Sequence, residues 1–354
     1  MAYATGSAAD LTALLDAIRV FAIAQGWTVD RWTAGSRLLF MRRGVTFVTM
    51  EGATRVFNNW DSGSSVSTTE QTLRMALGTG ITAGLTTYHS HPGSIVTSAT
   101  DGDRIEVNDL TGGFPSYHLF ADNAVSGHIH VIVQCSTERW QHFSFGEVDK
   151  GTFTHGGVAY LVGTNRFYTR ENSTVDPAST LVKHNDISKI VYPFLGNWAS
   201  DSYPTTYNHR QIHAPDALPN NANWPVVSVQ NTELWDGGNL WKPSDWPRSS
   251  NLAEAKPLNG IIKNNANQWN GNVMLWSIPC IVRSAPVSQM IYVGDFPNVR
   301  ALNMEGMTPG QEITLASETW KVFPIGRQTA WGTKAEVGMQ YSTGQYALAY
   351  KLVP

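Results

Sequence analysis

The 354-residue chain reads as an α+β protein, mostly antiparallel β, in which an N-terminal amphipathic helix packs on a β-meander. Three observations predict this. From Leu11 to Ala22, apolar residues recur every three or four positions, the spacing of one helix face. From Tyr117 to Val162, runs alternating apolar and polar are separated by compact turn clusters, the pattern of sequential strands. Charged residues make up 15% of the chain, against a usual ~25%, and uncharged polar residues fill the gap. That balance suits strands and surface loops better than a helical bundle.

Ser7-Ala8-Ala9-Asp10 resembles a capping box, with Asp10 in the position usually held by Glu or Gln. Leu11, Leu14, Leu15, Ile18, Phe21 and Ala22 then form a single stripe, and Gly26 stops the helix. Strands are expected at Trp27–Trp32, Arg37–Met41 and Val45–Met50, with Arg43-Gly44 as a tight hairpin turn. Asp61–Thr69 reads as a polar loop, and Glu70–Leu77 as a short helix ended by Gly78 and Gly80. The meander follows as Tyr117–Ala121, His128–Cys135, Arg139–Glu147 and Phe153–Val162; its short, turn-rich connections favour sequential antiparallel pairing.

Residues 1–163 therefore form a helix-plus-sheet domain. Residues 164–270 read as a loop-rich aromatic region, since seven of the thirteen tryptophans lie between Asn197 and Trp276 among Asn, Pro and Asp. Trp224, Trp235, Trp241 and Trp246 are its interface candidates, because buried indoles anchor both sparse cores and subunit contacts. Residues 271–354 return to strands at Val273–Val282, Gln289–Val293, Glu312–Leu315, Thr319–Phe323 and Tyr346–Leu352. Cys135 and Cys280 sit in apolar strand-like contexts and read as buried free thiols. A net charge of −3 supplies no basic field for nucleic acid, and no apolar run is long enough for a membrane span or signal peptide.

His89-Ser90-His91-Pro92, followed by Ser98-Ala99-Thr100-Asp101, resembles the zinc motif of JAMM metallopeptidases. The resemblance implies His89, His91 and Asp101 as ligands, zinc with an open position for an activated water, and Glu51 as an upstream acid. Pro92–Thr97 supplies six residues between His91 and Ser98, one fewer than the family pattern, which moves the aspartate off the metal. The expected reading is a loop with two histidines, no catalytic residues and no cofactor. His128 and His130 flank Ile129 and share a face, with His142 on an adjacent strand. This face is expected to be half-solvated, opposite a core of Ile129, Val131 and Val133. No nucleophile elbow, phosphate loop or dinucleotide fingerprint is present.

The order Phe114-Pro115-Ser116-Tyr117-His118-Leu119-Phe120, then His130–Val133, then His142–Glu147 with Lys150-Gly151 and Gly156-Gly157, resembles virion structural proteins of tailed bacteriophages. The opening helix, Gly26-Trp27 and the strands around Arg43-Gly44 fit the same group. The resemblance implies a non-enzymatic tail or baseplate subunit, homo-oligomeric, located in the virion and working through contacts with other virion proteins. A tail-tip carbohydrate-binding protein is a third possibility, resting on the aromatic residues alone.

Overall fold

A computed structural model of the chain describes residues 2–61, 64–94, 96–97, 104–122, 127–137, 139–149, 159–163, 273–284, 289–304, 306–327 and 346–352, with six short strand segments between residues 165 and 228. Among the described residues the architecture is mostly antiparallel β with a single α-helix. In that set no helix is long and apolar enough to cross a membrane. The interface candidates Trp224, Trp235, Trp241 and Trp246, together with Asp101, lie outside the described residues.

The chain opens with a strand, β1 (Ala2–Ala8), before α1 (Leu11–Ala24). The cap differs from the sequence reading. Ser7 belongs to β1, and Asp10 is itself the N-cap, its Oδ1 accepting from the Ala13 N–H at 2.8 Å. An extended backbone at Asp10 aims its carboxylate at the open end of the helix, a position Ser7 cannot occupy from within a strand. The buried residues of α1 are Leu11, Leu14, Leu15, Ile18, Phe21 and Ala22, the stripe the periodicity predicts. Gly26, at φ 80°, turns the chain out of the helix, and the Trp27 N–H bonds back to the Ala22 carbonyl at 3.0 Å.

Next come β2 (Thr28–Thr33), β3 (Leu38–Arg43), β4 (Thr46–Asp61), β5 (Ser64–Gly78) and β6 (Ile105–Val107), all antiparallel neighbours in one sheet. Gly44, at φ 55°, occupies the first of two loop positions between paired Arg43 and Thr46, as a type II′ hairpin requires. Two sequence expectations fail at β5. Glu70–Leu77 is strand rather than helix, and the expected loop Asp61–Thr69 contains the ends of a long hairpin that pairs from Phe47↔Gly78 out to Asp61↔Ser64. Glu, Gln, Arg, Met and Ala favour helix locally, but Leu73, Met75 and Leu77 alternate onto one buried face, and pairing with β4 decides the outcome.

The meander is β7 (Phe114–Ala121), β8 (Ile129–Ser136), β9 (Arg139–Glu147) and β10 (Ala159–Gly163), paired sequentially and antiparallel. β1 lines its outer edge against β7. Five short strands follow in the central part of the chain: β11 (Asn165–Arg166), β12 (Tyr168–Thr169), β13 (Val182–Lys183), β14 (Ile190–Val191) and β15 (Arg210–His213); β16 (Val227–Ser228) completes that part. β15 and β16 extend the meander sheet beyond β10.

The C-terminal sheet comprises β17 (Trp276–Ser284), β18 (Gln289–Asn303), β19 (Glu312–Leu315), β20 (Glu318–Pro324) and β22 (Tyr346–Leu352), in the order β17-β18-β22-β20-β19. Its strands fall where the sequence places them, with β18 running further, to Asn303. β21 (Gly326–Arg327) leaves this sheet and pairs with β9.

Strand parity gives the meander two faces. Leu119, Val131 and Phe143 stand opposite one another, as do Ala121, Ile129, Phe145 and Leu161; both rows join one apolar cluster with the buried side of α1 and with Leu73, Met75 and Ile105 of the first sheet. The reverse face carries two other rows, His118–Ile132–His142 and Phe120–His130–Ser144–Val162.

Candidate functional site

That second face is not half-solvated. His128, His130 and His142 are each 0% exposed; Tyr350 of the C-terminal sheet lies against His130 and His142, and Phe323 and Phe296 of the same sheet lie against the neighbouring His118 and Tyr160. The expectation of a wet face fails for a physical reason: its cover lies far along the chain, with His142 and Tyr350 separated by 208 positions.

The seam is a directional hydrogen-bond network. His142 Nε2 lies 2.8 Å from the Pro324 carbonyl and its Nδ1 2.8 Å from the Tyr350 hydroxyl. A carbonyl only accepts, so Nε2 carries the proton, and Nδ1 accepts from the Tyr350 O–H. His130 repeats the arrangement: Nε2–H donates to the Pro297 carbonyl at 2.8 Å, and Nδ1 accepts from Ser144 Oγ at 2.7 Å. With its proton directed to His130, Ser144 Oγ accepts from the Tyr160 O–H at 2.9 Å. At the edge, His118 Nδ1 meets the Tyr3 hydroxyl at 2.8 Å, and its ring lies against Phe323. The His128 ring sits 4.6 Å from that of His130. Its backbone is approached so closely by Gly146, at φ 146°, that a Cβ there would collide with it.

Burial sets the charge state. Desolvation lowers His142 to about 4 and His128 to about 3, and it takes His130 well below its ordinary value. His118 falls to about 4 through burial, with the nearby Lys321 ammonium adding to the effect. Burial raises both Tyr160 and Tyr350, so the hydroxyls remain protonated. The seam is a neutral polar interior at physiological pH.

The His-Ser-His-Pro stretch lies on the other side of the first sheet. Its loop covers Leu38, Phe40 and Ala76 with Tyr88 and Val96. Thr49 Oγ1 donates to the Tyr88 carbonyl at 2.5 Å, and Arg31 Nη1 to the Leu85 carbonyl at 2.7 Å. His91 packs edge-on against Phe40; its Nε2–H donates to the Thr87 carbonyl at 2.9 Å, and its Nδ1 accepts the Thr82 N–H at 3.1 Å. Both ring nitrogens are thus occupied by backbone groups, leaving no lone pair for zinc in this arrangement. His89 Nδ1 bonds Ser90 Oγ at 2.8 Å, and Ser90 Oγ donates to the Thr97 carbonyl at 2.8 Å. The structure brings His89 and His91 into one loop; Asp101, Ser98 and Thr100 lie outside the described residues.

Glu51 belongs instead to a cross-strand charge ladder. It stands opposite Arg74, which stands opposite Glu106, with separations of 3.6 and 3.8 Å. Arg104 closes the ladder, its Nε and Nη2 both 2.8 Å from Glu106 Oε2. Among the described residues no cluster of three or more His, Cys, Asp or Glu is arranged to hold a metal. Cys135 is half-buried and Cys280 buried, and neither is in a disulfide.

The sequence reading missed the partners of the histidines: Tyr3, Ser144, Tyr160, Pro297, Pro324 and Tyr350. Strand parity places Ser144 and Tyr160 on the histidine face, a signal present in the meander itself. No local signal points to the prolines or to Tyr350. No protein-family model matches the chain, and no curated protein matches it.

Proposed function

We propose that the chain is a non-enzymatic structural subunit of a tailed-bacteriophage virion, a tail or baseplate component that self-associates and contacts other virion proteins. The observation that carries the non-enzymatic part is the use of its reactive-looking side chains. His91, His130 and His142 each engage both ring nitrogens with groups of the same chain. A general base or metal ligand needs an available lone pair directed at substrate or ion. The virion assignment rests on the motif order from Phe114 to Gly157, with α1 and the meander as the scaffold.

Two measurements test this reading. Light scattering after size exclusion, and antibody labelling of particles in micrographs, should find a multimer located in the tail. A strict monomer absent from particles contradicts the role. Zinc analysis of purified protein separates the metallopeptidase reading: substoichiometric zinc, unchanged in His91→Ala, is expected. One equivalent of zinc lost in that variant would mean that His91 abandons its backbone bonds for metal.

A further inference from the structure

The buried histidine layer has a consequence beyond holding two sheets together. We propose that the seam is an acid-labile latch: on protonation of its histidines the C-terminal sheet separates from the meander, the α1-side core stays folded, and neutral pH closes the seam again.

The geometry carries this in three ways. First, the titratable layer is confined to one face. His118, His128, His130 and His142 sit on the C-terminal-sheet side, whereas the α1 side is built from residues such as Leu119, Val131, Phe143 and Leu161. Second, imidazoles carry side-chain bonds across the seam, beside the Asp149–Asp295 backbone pair, the Asn298–Asp122 bond and the pairing of β21 with β9. His130 reaches Pro297 of β18, and His142 reaches Pro324 of β20 and Tyr350 of β22, so three strands of the C-terminal sheet are tied to the meander by two rings. Third, a charge there has cationic neighbours. The His128 and His130 rings are 4.6 Å apart, so protonating both places like charges side by side in a dry interior.

Other described groups also face the layer. Burial keeps the hydroxyls of Tyr160 on β10 and Tyr350 on β22 protonated; the Tyr3 hydroxyl of β1 bonds His118, and the Cys280 thiol of β17 neighbours Tyr160. Among the described residues, cations act on the layer: Lys321 of β20 on His118, and Arg43 of β3 and the terminal ammonium on His128, while the Asp122 carboxylate bonds Asn298 of β18. Acid adds positive charge to a region that already experiences it.

The closed seam holds its imidazoles neutral to about 4 at His118 and His142 and about 3 at His128, whereas an opened seam hydrates them near 6.5. Below 6.5 each histidine therefore multiplies the open-to-closed ratio by about tenfold per pH unit until the closed form is itself protonated. Four such groups make the opening steep, with about four protons taken up. The acid response of the seam does not depend on the virion assignment and is expected of the isolated 354-residue chain.

Hydrogen exchange with peptide resolution, corrected for the intrinsic pH dependence of amide exchange, reads the two faces separately between pH 7 and 3. Protection in β20 and β22 is expected to collapse by more than about 100-fold at a pH where α1 and β4 remain protected, and to recover at pH 7. The double variant His130→Gln/His142→Gln keeps donors toward the proline carbonyls without the titrating rings. It should lower the opening pH and reduce proton uptake to about two. Histidine Cε1–H resonances of the wild type supply the second readout should the variant fail to fold: their titration should coincide with the loss of protection. Loss of both faces in one step, an opening pH unmoved in a folded double variant, or imidazoles titrating near 6.5 while β20 and β22 stay protected each overturns the proposal.

Discussion

One side of β7–β10 presents Leu119, Val131, Phe143, Phe145 and Leu161 to α1 and the first sheet; the other presents His118, His130, His142 and Ser144 to the C-terminal sheet. Both faces are buried, yet they hold their covers by different physics. The first relies on area removed from water, which is non-directional and insensitive to pH. The second relies on hydrogen bonds whose directions are fixed by two proline carbonyls, so one placement of the C-terminal sheet satisfies it and a shifted placement leaves polar groups stranded. The comparison teaches that one meander separates the task of folding from the task of positioning a second sheet.

Breaking the apolar face should cost most. Phe145, edge-on to Trp27 at 5.1 Å, joins the end of α1 to the meander, and Trp27 Nε1 ties the same region to the Gly127 carbonyl at 3.0 Å. Phe145→Ala should destabilise the whole molecule by about 3–5 kcal/mol in denaturant unfolding, with α1 and both sheets lost together.

Acid comes second and acts on the other face. His142 is depressed from 6.5 to about 4, so the unfolded chain binds its proton first. Its contribution is fully present above 6.5 and is lost as pH falls toward 4, about 3–4 kcal/mol in all at ~1.4 kcal/mol per pH unit. Denaturant midpoints measured at pH 7.5 and pH 4.5 should fall for the wild type and fall less for His142→Gln.

Tyr350→Phe is milder. It removes the donor to His142 Nδ1 and keeps the ring stacked on Phe120 at 5.3 Å. A loss of about 1–2 kcal/mol is expected, since one buried acceptor is left unpaired. The smallest effect belongs to Asp10→Ala, which strips the N-cap and should cost about 1 kcal/mol without altering any pH response of the seam.

What was legible in the sequence follows the same division. The stripe of α1, the first three strands of the meander and most of the C-terminal sheet are set by short-range periodicity and by turns and match their expected places; β18 runs past its expected end, and residues 153–158 of the expected fourth meander strand lie outside the described residues. β5 was misread because its residues favour helix one by one, while a partner strand decides the matter. β1 escaped because AYATGSA has small residues and no strong alternation; its strand character comes from pairing with β7. Parity shows that the histidines share a face, but not what covers it, since Pro297, Pro324 and Tyr350 are distant in sequence and unremarkable in their own segments. The two-histidine loop was legible as a loop. That His91 uses both nitrogens on Thr82 and Thr87 follows only from the folded backbone.

The most direct test of the central claim, that the seam histidines are neutral structural parts with assigned directions, is nitrogen-15 NMR of their imidazoles at pH 7 with and without zinc. His130 and His142 should show Nε2 protonated and Nδ1 bare, with shifts unchanged when zinc is added. Averaged ring-nitrogen shifts that titrate near 6.5, or a bare nitrogen that moves on adding zinc, would contradict the account.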